Sequence, residues 1–151
     1  MPKEPSYFDL VITGGRVIDP ANSIDEHVDV AICKDKISAI KSNIDSSNSI
    51  RVIDASGAIV TPGLIDLHTH AAGGIRKPAN DDFMVDPDVA GVSSGVTTVL
   101  DAGSVGALNS GGLINFLAPQ AKTRLLALLN IGKMAVANLP VGKSAEDIDQ
   151  A

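Results

Sequence analysis

The chain has 151 residues, 44% hydrophobic and 20% charged, a composition typical of globular proteins that excludes a disordered or collagen-like chain. Twelve basic and 18 acidic side chains give a formal charge of -6 with no Lys/Arg cluster, so the electrostatic footprint of a nucleic-acid binder is missing. No stretch reaches the ~20 apolar residues of a spanning helix, the start Met1-Pro2-Lys3-Glu4-Pro5 lacks signal-peptide features, and the single Cys33 fits an apolar strand position with no disulfide framework.

A cytoplasmic protein without nucleic-acid or membrane partners is therefore expected. From residue 8 to residue 60 short apolar runs are cut by turn signals. Residues 8–12 precede Gly14-Gly15, and 16–18 precede Asp19-Pro20-Ala21-Asn22. Asp25-Glu26-His27 fits a turn with a solvated histidine. Residues 28–33, 37–40, 51–53 and 58–60 complete the strands, with 42–49 as a polar hairpin loop. Residues 1–60 thus form a small all-β unit.

At Thr61-Pro62-Gly63 the pattern changes, and apolar strands alternate with helical stretches, as parallel βα units require. The second domain is expected over 61–151. Its first strand spans 64–70. Asp86 then offers an N-cap and Pro87 a first helical position, opening a helix to about Ser94 before Gly95. The second strand covers 97–101. Residues 109–120 place Leu113, Ile114, Phe116 and Leu117 on a buried helical stripe, and 124–130 are a nearly continuous apolar third strand. Ser144-Ala145-Glu146-Asp147 has the form of a helix start. The fold class is α/β: the first three βα units of a (β/α)8 barrel, which needs roughly 250 residues when complete, so the chain is expected to be truncated.

In an extended strand alternate side chains share a face, which groups Asp66, His68 and His70 against Ile65, Leu67 and Thr69. In a barrel the histidines would face the interior at the strand's C-terminal end, where barrel enzymes place their active sites. Two imidazoles on one strand suit a divalent metal, with Zn²⁺ the favoured ion at about 2.0–2.1 Å from each nitrogen. Catalytic zinc normally has three protein ligands and a water, so further ligands are required. Taken alone, a His-X-His pair fits a surface strand or two satisfied core histidines at least as well. The ordered context of β unit, Thr-Pro-Gly, histidine-bearing strand, glycine-bearing loop and Gly95-Val96-Thr97-Thr98 favours the metal site.

Around this pair, Asp101 at the end of the second strand can hold a ligand histidine or line the pocket, or equally cap the following Ala-Gly-Ser turn. Asn130 can donate to a substrate carbonyl or form a turn, and Arg76 can hold an anionic substrate or stand as an ordinary loop arginine. Asp66 fits a structural hydrogen bond better than catalysis. Gly73-Gly74 and Gly103 suit tight turns or close backbone approach.

At these residues the sequence resembles the amidohydrolase superfamily. Residues 9–20, from Asp9-Leu10-Val11-Ile12-Thr13-Gly14-Gly15 to Asp19-Pro20, look like the opening of dihydroorotase-like members, and Val60-Thr61-Pro62-Gly63-Leu64-Ile65-Asp66-Leu67-His68-Thr69-His70 looks like the first barrel strand. Residues 94–104, followed by 125–131, look most like the amidohydrolase/deacetylase group. The resemblance implies a urease-like composite β-sandwich joined to a metal-bearing barrel, with His68 and His70 on the more buried of one or two metal ions. It implies hydrolysis of C–N bonds in amides, cyclic amides or N-acyl compounds by metal-activated water, as in dihydroorotases and hydantoinases.

The family completes its site with a lysine, two further histidines and an aspartate base from later strands, here expected beyond residue 151. Lys122, Lys133 and Lys143 end no recognisable fourth strand and receive no role. Ala72 stands where dihydroorotases commonly carry an arginine, a departure from their pattern. The expected partners are a small-molecule substrate and, for the parent enzyme, further copies in a homo-oligomer; the isolated chain is expected to lack turnover. The alternative is a non-catalytic homologue that binds a partner through an unfinished barrel edge.

Overall fold

The chain passes from β1 (Phe8–Thr13) into β2 (Arg16–Asp19) through Gly14, which takes φ +74° and where a Cβ would also meet Ser56 Oγ at 2.7 Å. The computed structural model describes residues 7–72 and 85–132, which divide into two units between Pro62 and Gly63. In the first unit Asp19 accepts from the Ala21 N–H at 3.2 Å and Pro20 opens a single 3-10 turn, Pro20–Asn22, leading to β3 (Ile24–His27). The remaining strands are β4 (Asp29–Cys33), β5 (Lys36–Lys41), β6 (Ser49–Asp54) and β7 (Ile59–Val60).

They form two mixed sheets, ordered β5-β4-β1-β6 and β3-β2-β7, in which β1 with β6 and β2 with β7 are the parallel pairs. Alternation along β4 sends Ala31 and Cys33 to a cluster with Phe8, Val11 and Ile44. Val30 and Ile32 go to a second cluster with Val17 and Val28, joined by Ile24 and Val60, so that this core draws on both sheets. The turn expected at Asp25-Glu26-His27 is instead the strand β3. Three of its four residues are exposed, so burial left no periodic signal; its pairing with β2 is supported by a bidentate Arg16–Asp25 contact at 2.6 and 2.8 Å. His27 is exposed, as expected.

The second unit holds one wholly parallel sheet, β10-β9-β8, formed by β8 (Leu64–Thr69), β9 (Val96–Ala102) and β10 (Arg124–Leu128). Parallel neighbours need crossover segments, and among the described residues two helical segments lie between the strands. The first, α1 (Pro87–Ala90), is capped by Asp86, which accepts from the Asp88 N–H at 2.8 Å. It stops at Gly91 and resumes only as a 3-10 turn, Val92–Ser94, shorter than the helix expected to Ser94. At Gly91 the chain runs against Thr123, whose Oγ1 accepts from the Val92 N–H at 3.0 Å.

Asp88 fastens the same segment to the start of β10, its carboxylate accepting from Thr123 N at 2.8 Å and Lys122 N at 2.9 Å. These donors, Thr123 first, hold the Asp88 carboxyl below its ordinary range. The helix expected over 109–120 is present as one continuous but shorter run, α2 (Ser110–Gly112) passing directly into a π-helical turn, Leu113–Leu117. Only Leu113 of the expected stripe is buried, packed with Ala72 and Val105; Ile114 and Phe116 are exposed. No helix among the described residues is long and apolar enough to cross a membrane. Gly73-Gly74, Arg76, Lys133, Lys143 and the helix start at Ser144 lie outside the described residues.

Candidate metal centre

Strand β8 delivers the two histidines at its C-terminal end, but not with the regular alternation expected of residues 64–70. Its partners on β9 are Val99 for Asp66 and Asp101 for Thr69, so three residues of β8 span the distance of two on β9. The extra residue is a bulge-like irregularity, and a slip of one position exchanges faces. Asp66 and Thr69 therefore pair with Val99 and Asp101, two positions on one face of β9. Asp66 accepts from the main-chain N–H of His68 at 2.9 Å, a structural hydrogen bond. The strand itself ends at Thr69, with His70 just past it.

The imidazoles of His68 and His70 lie edge to face, their ring centroids 5.8 Å apart at an interplanar angle of 77°. His68 is exposed and His70 half-buried. The Nδ1 atom of His70 lies 2.9 Å from the hydroxyl of Ser104, in the loop after β9. Ser104 and Asp101 are both buried. One Asp101 oxygen accepts from the Ser104 N–H at 2.7 Å and the other from the Ala71 N–H at 2.8 Å, so this carboxylate joins the end of β8 to the loop after β9. Gly103, at φ +90°, allows the chain to reverse between Asp101 and Ser104.

Of the residues singled out from sequence, the structure gathers His68, His70 and Asp101 around one end of the parallel sheet. The turn-capping alternative for Asp101 is met by its bond to Ser104, and the bond to Ala71 adds a second anchor. Asn130 takes the turn-forming arrangement: its amide donates to Gly103 O at 3.2 Å and its carbonyl accepts from Gly132 N at 2.8 Å. It follows β10, which ends at Leu128 and not at Asn130. Arg76 cannot be assigned a place among the described residues. Ala72, at the position noted for its departure from the dihydroorotase pattern, is a core residue against Val105 and Leu113.

Sequence reasoning missed Ser104. Its one local signal is a hydroxyl three residues after a strand-ending carboxylate, the spacing of a side chain that caps a turn. The donor chemistry at this end of the sheet suits a divalent metal, since neutral imidazole is a common ligand of such ions. Among the described residues no group of three or more His, Cys, Asp or Glu side chains is gathered, so two imidazoles are the donors in view.

No family model matches the chain. It is 33% identical over 129 residues to a deacetylase of Brucella anthropi, an alignment covering 83% of this chain and 31% of that protein. A dihydroorotase of Geobacter metallireducens is 38% identical over 94 residues, covering 61% of this chain and 21% of that protein. The chain thus spans less than a third of the length of either relative. A dihydroorotase crystal structure superposes with a TM-score of 0.79 at 27% identity, over 93% of this chain and 36% of that one. With these relatives and this shared fold, the chain belongs to the amidohydrolase superfamily.

Proposed function

We propose that this chain supplies the front of a metal-dependent hydrolase that cleaves C–N bonds in small amides, cyclic amides or N-acyl compounds. In this reading the strands β8, β9 and β10 are the first three of a (β/α)8 barrel, and His68 and His70 are two ligands of a divalent metal, with zinc the favoured ion. The carrying observation is the approach of the two imidazoles to 5.8 Å at the C-terminal end of a parallel strand. That is the end at which barrel enzymes assemble their sites. The names deacetylase and dihydroorotase among the relatives support an acyl–nitrogen bond as the target.

His68 and His70 would hold the metal, which would there lower the pKa of a water towards neutral and so provide a nucleophile for a carbonyl. The chain's own contribution is orientation. The Asp101 carboxylate fixes the backbone beside His70, and the Ser104 hydroxyl holds the His70 ring from one side.

Zinc affinity, measured by competition with a chromophoric chelator, tests the metal reading. His68→Asn and His70→Asn should each weaken binding by more than the ~10-fold that loss of a supporting group costs. Affinity unchanged in both variants overturns it. The reaction is tested in the full-length product of the reading frame encoding this chain, on N-acyl amino acids and cyclic amides. Zinc-dependent hydrolysis abolished by His68→Asn is the expected result, and hydrolysis indifferent to both substitutions is the opposing one.

A further inference from the structure

We propose that Asp66 is a positioning residue for His68: its carboxylate, by holding the His68 main-chain N–H, fixes the extra residue of β8 in the form that brings the two imidazoles together. The inference rests on the reading of His68 and His70 as metal ligands and adds to it the group that sets their spacing.

The pairing of Asp66 with Val99 and of Thr69 with Asp101 leaves two residues of β8, Leu67 and His68, opposite Leu100 alone, the count that defines a bulge. Both ends of the bulge are fixed, because Val99 and Asp101 are each 0% exposed. The surplus residue cannot pass along the strand without breaking the pairing at one of these buried positions. Packing does not hold the bulged residues themselves, since Leu67 is 71% exposed and His68 is exposed as well. The hold comes from Asp66 Oδ1, which accepts from His68 N at 2.9 Å, a bond from one residue to the N–H two positions on. Asp and Asn side chains are short enough to make this bond and stabilise a local turn with it.

A bulge re-aims the side chains it carries. His68 lies within it and His70 beyond it, and the two ring centroids stand 5.8 Å apart. Two imidazoles serve one ion well only if their approach is set before the ion arrives. At an exposed position water replaces a lost acceptor, so removal of the Asp66 carboxylate leaves the fold standing but frees Leu67 and His68 to take other backbone angles. The loss then falls on ligand geometry rather than on folding.

The test is zinc affinity and ligand geometry in substituted forms of the 151-residue chain. Asp66→Asn keeps an oxygen for His68 N and should bind zinc as wild type does. Asp66→Ser offers a weaker acceptor and Asp66→Ala none, so Asp66→Ala should lose about 10-fold in affinity, with Asp66→Ser between. Cobalt(II) absorption, which reads the arrangement of the ligands, should keep its wild-type bands in Asp66→Asn and change in Asp66→Ala, while the urea midpoints stay close to wild type. Wild-type affinity and cobalt bands in Asp66→Ala overturn the inference, whatever its midpoint. An Asp66→Asn as weak as Asp66→Ala also overturns it, because the charge and not the acceptor would then be at work. Should Asp66→Ala fail to fold, Asp66→Asn must bind more tightly than Asp66→Ser, and equal affinities in that pair are the opposing result. His68→Asn and His70→Asn separate this inference from the reading beneath it. Affinity unchanged by both overturns the metal reading and the role of Asp66 together, whereas affinity lost in both but kept in Asp66→Ala overturns only the role of Asp66.

Discussion

The carboxylate of Asp101 holds the main-chain nitrogen of Ala71 at 2.8 Å across a separation of 30 residues, and so fixes where the histidine-bearing strand ends. With its other oxygen on Ser104 N, Asp101 satisfies two N–H groups in an environment closed to water. Removing such an acceptor costs about 1–3 kcal/mol for each donor left without a partner. Asp101→Ala should therefore destabilise the second unit by roughly 2–5 kcal/mol, read from urea denaturation. Asp101→Asn keeps one acceptor oxygen and should fall between the two. An Asp101→Ala midpoint equal to wild type would remove the carboxylate from its anchoring role.

Gly91, where the first crossover helix stops, has no room for a side chain. A Cβ at this position would meet Thr123 Oγ1 at 2.1 Å, Thr123 Cγ2 at 2.2 Å and the Pro87 carbonyl at 2.6 Å. Gly91→Ala is expected to cost about 1–3 kcal/mol, as overpacking of a filled site does. Trimming the neighbour should recover part of this, so the cost in a Thr123→Ala background is smaller than in wild type. Equal costs in the two backgrounds would mean that Thr123 is not what excludes a side chain at 91.

The strands that carry the site were legible because each is a short apolar run closed by turn residues: β8 before His70, β9 after Gly95, β10 after Thr123. Two kinds of feature were not. The edge strand β3 is polar and exposed, so no burial wrote a period into Ile24–His27. The stripe proposed for 109–120 had the right spacing for an α-helix, yet Leu113–Leu117 wind as a π-helical turn, and Ile114 and Phe116 lie outside the core. The irregularity in β8 and the contact of Ser104 with His70 are properties of a pairing between distant segments. A one-residue slip between Asp66 and Thr69 is invisible until β9 lies beside them.

The clamp formed by Asp88 is expected to be pH-sensitive. Its carboxyl is held below the ordinary range chiefly by the Thr123 N–H, then by that of Lys122. A carboxyl whose folded value is depressed contributes stability that is fully present above the unfolded value and lost as pH falls through the folded one. Wild-type stability should therefore decline through and below the usual carboxylate range more steeply than that of Asp88→Asn, which keeps an acceptor but does not titrate there. The difference between their urea midpoints, followed from neutral to acid pH, isolates this group from Asp25, Asp45 and Asp54, which are shifted in the same direction by other partners. A constant difference across that range would exclude the clamp as a source of acid sensitivity.

Metal binding should also be visible as stability. A ligand that binds the folded chain alone stabilises it by mass action, about 2.7 kcal/mol at a hundredfold excess over Kd. The sequence has three histidines, so each imidazole can be tested by substitution in turn. Zinc is expected to raise the Tm in a concentration-dependent manner that EDTA reverses. His68→Asn and His70→Asn should each abolish most of the rise, because a single remaining imidazole cannot chelate. His27→Asn should retain it, since His27 is exposed on β3 and pairs there with Arg16 in the sheet register. A zinc response lost in His27→Asn but kept in the other two variants would move the metal away from the end of β8.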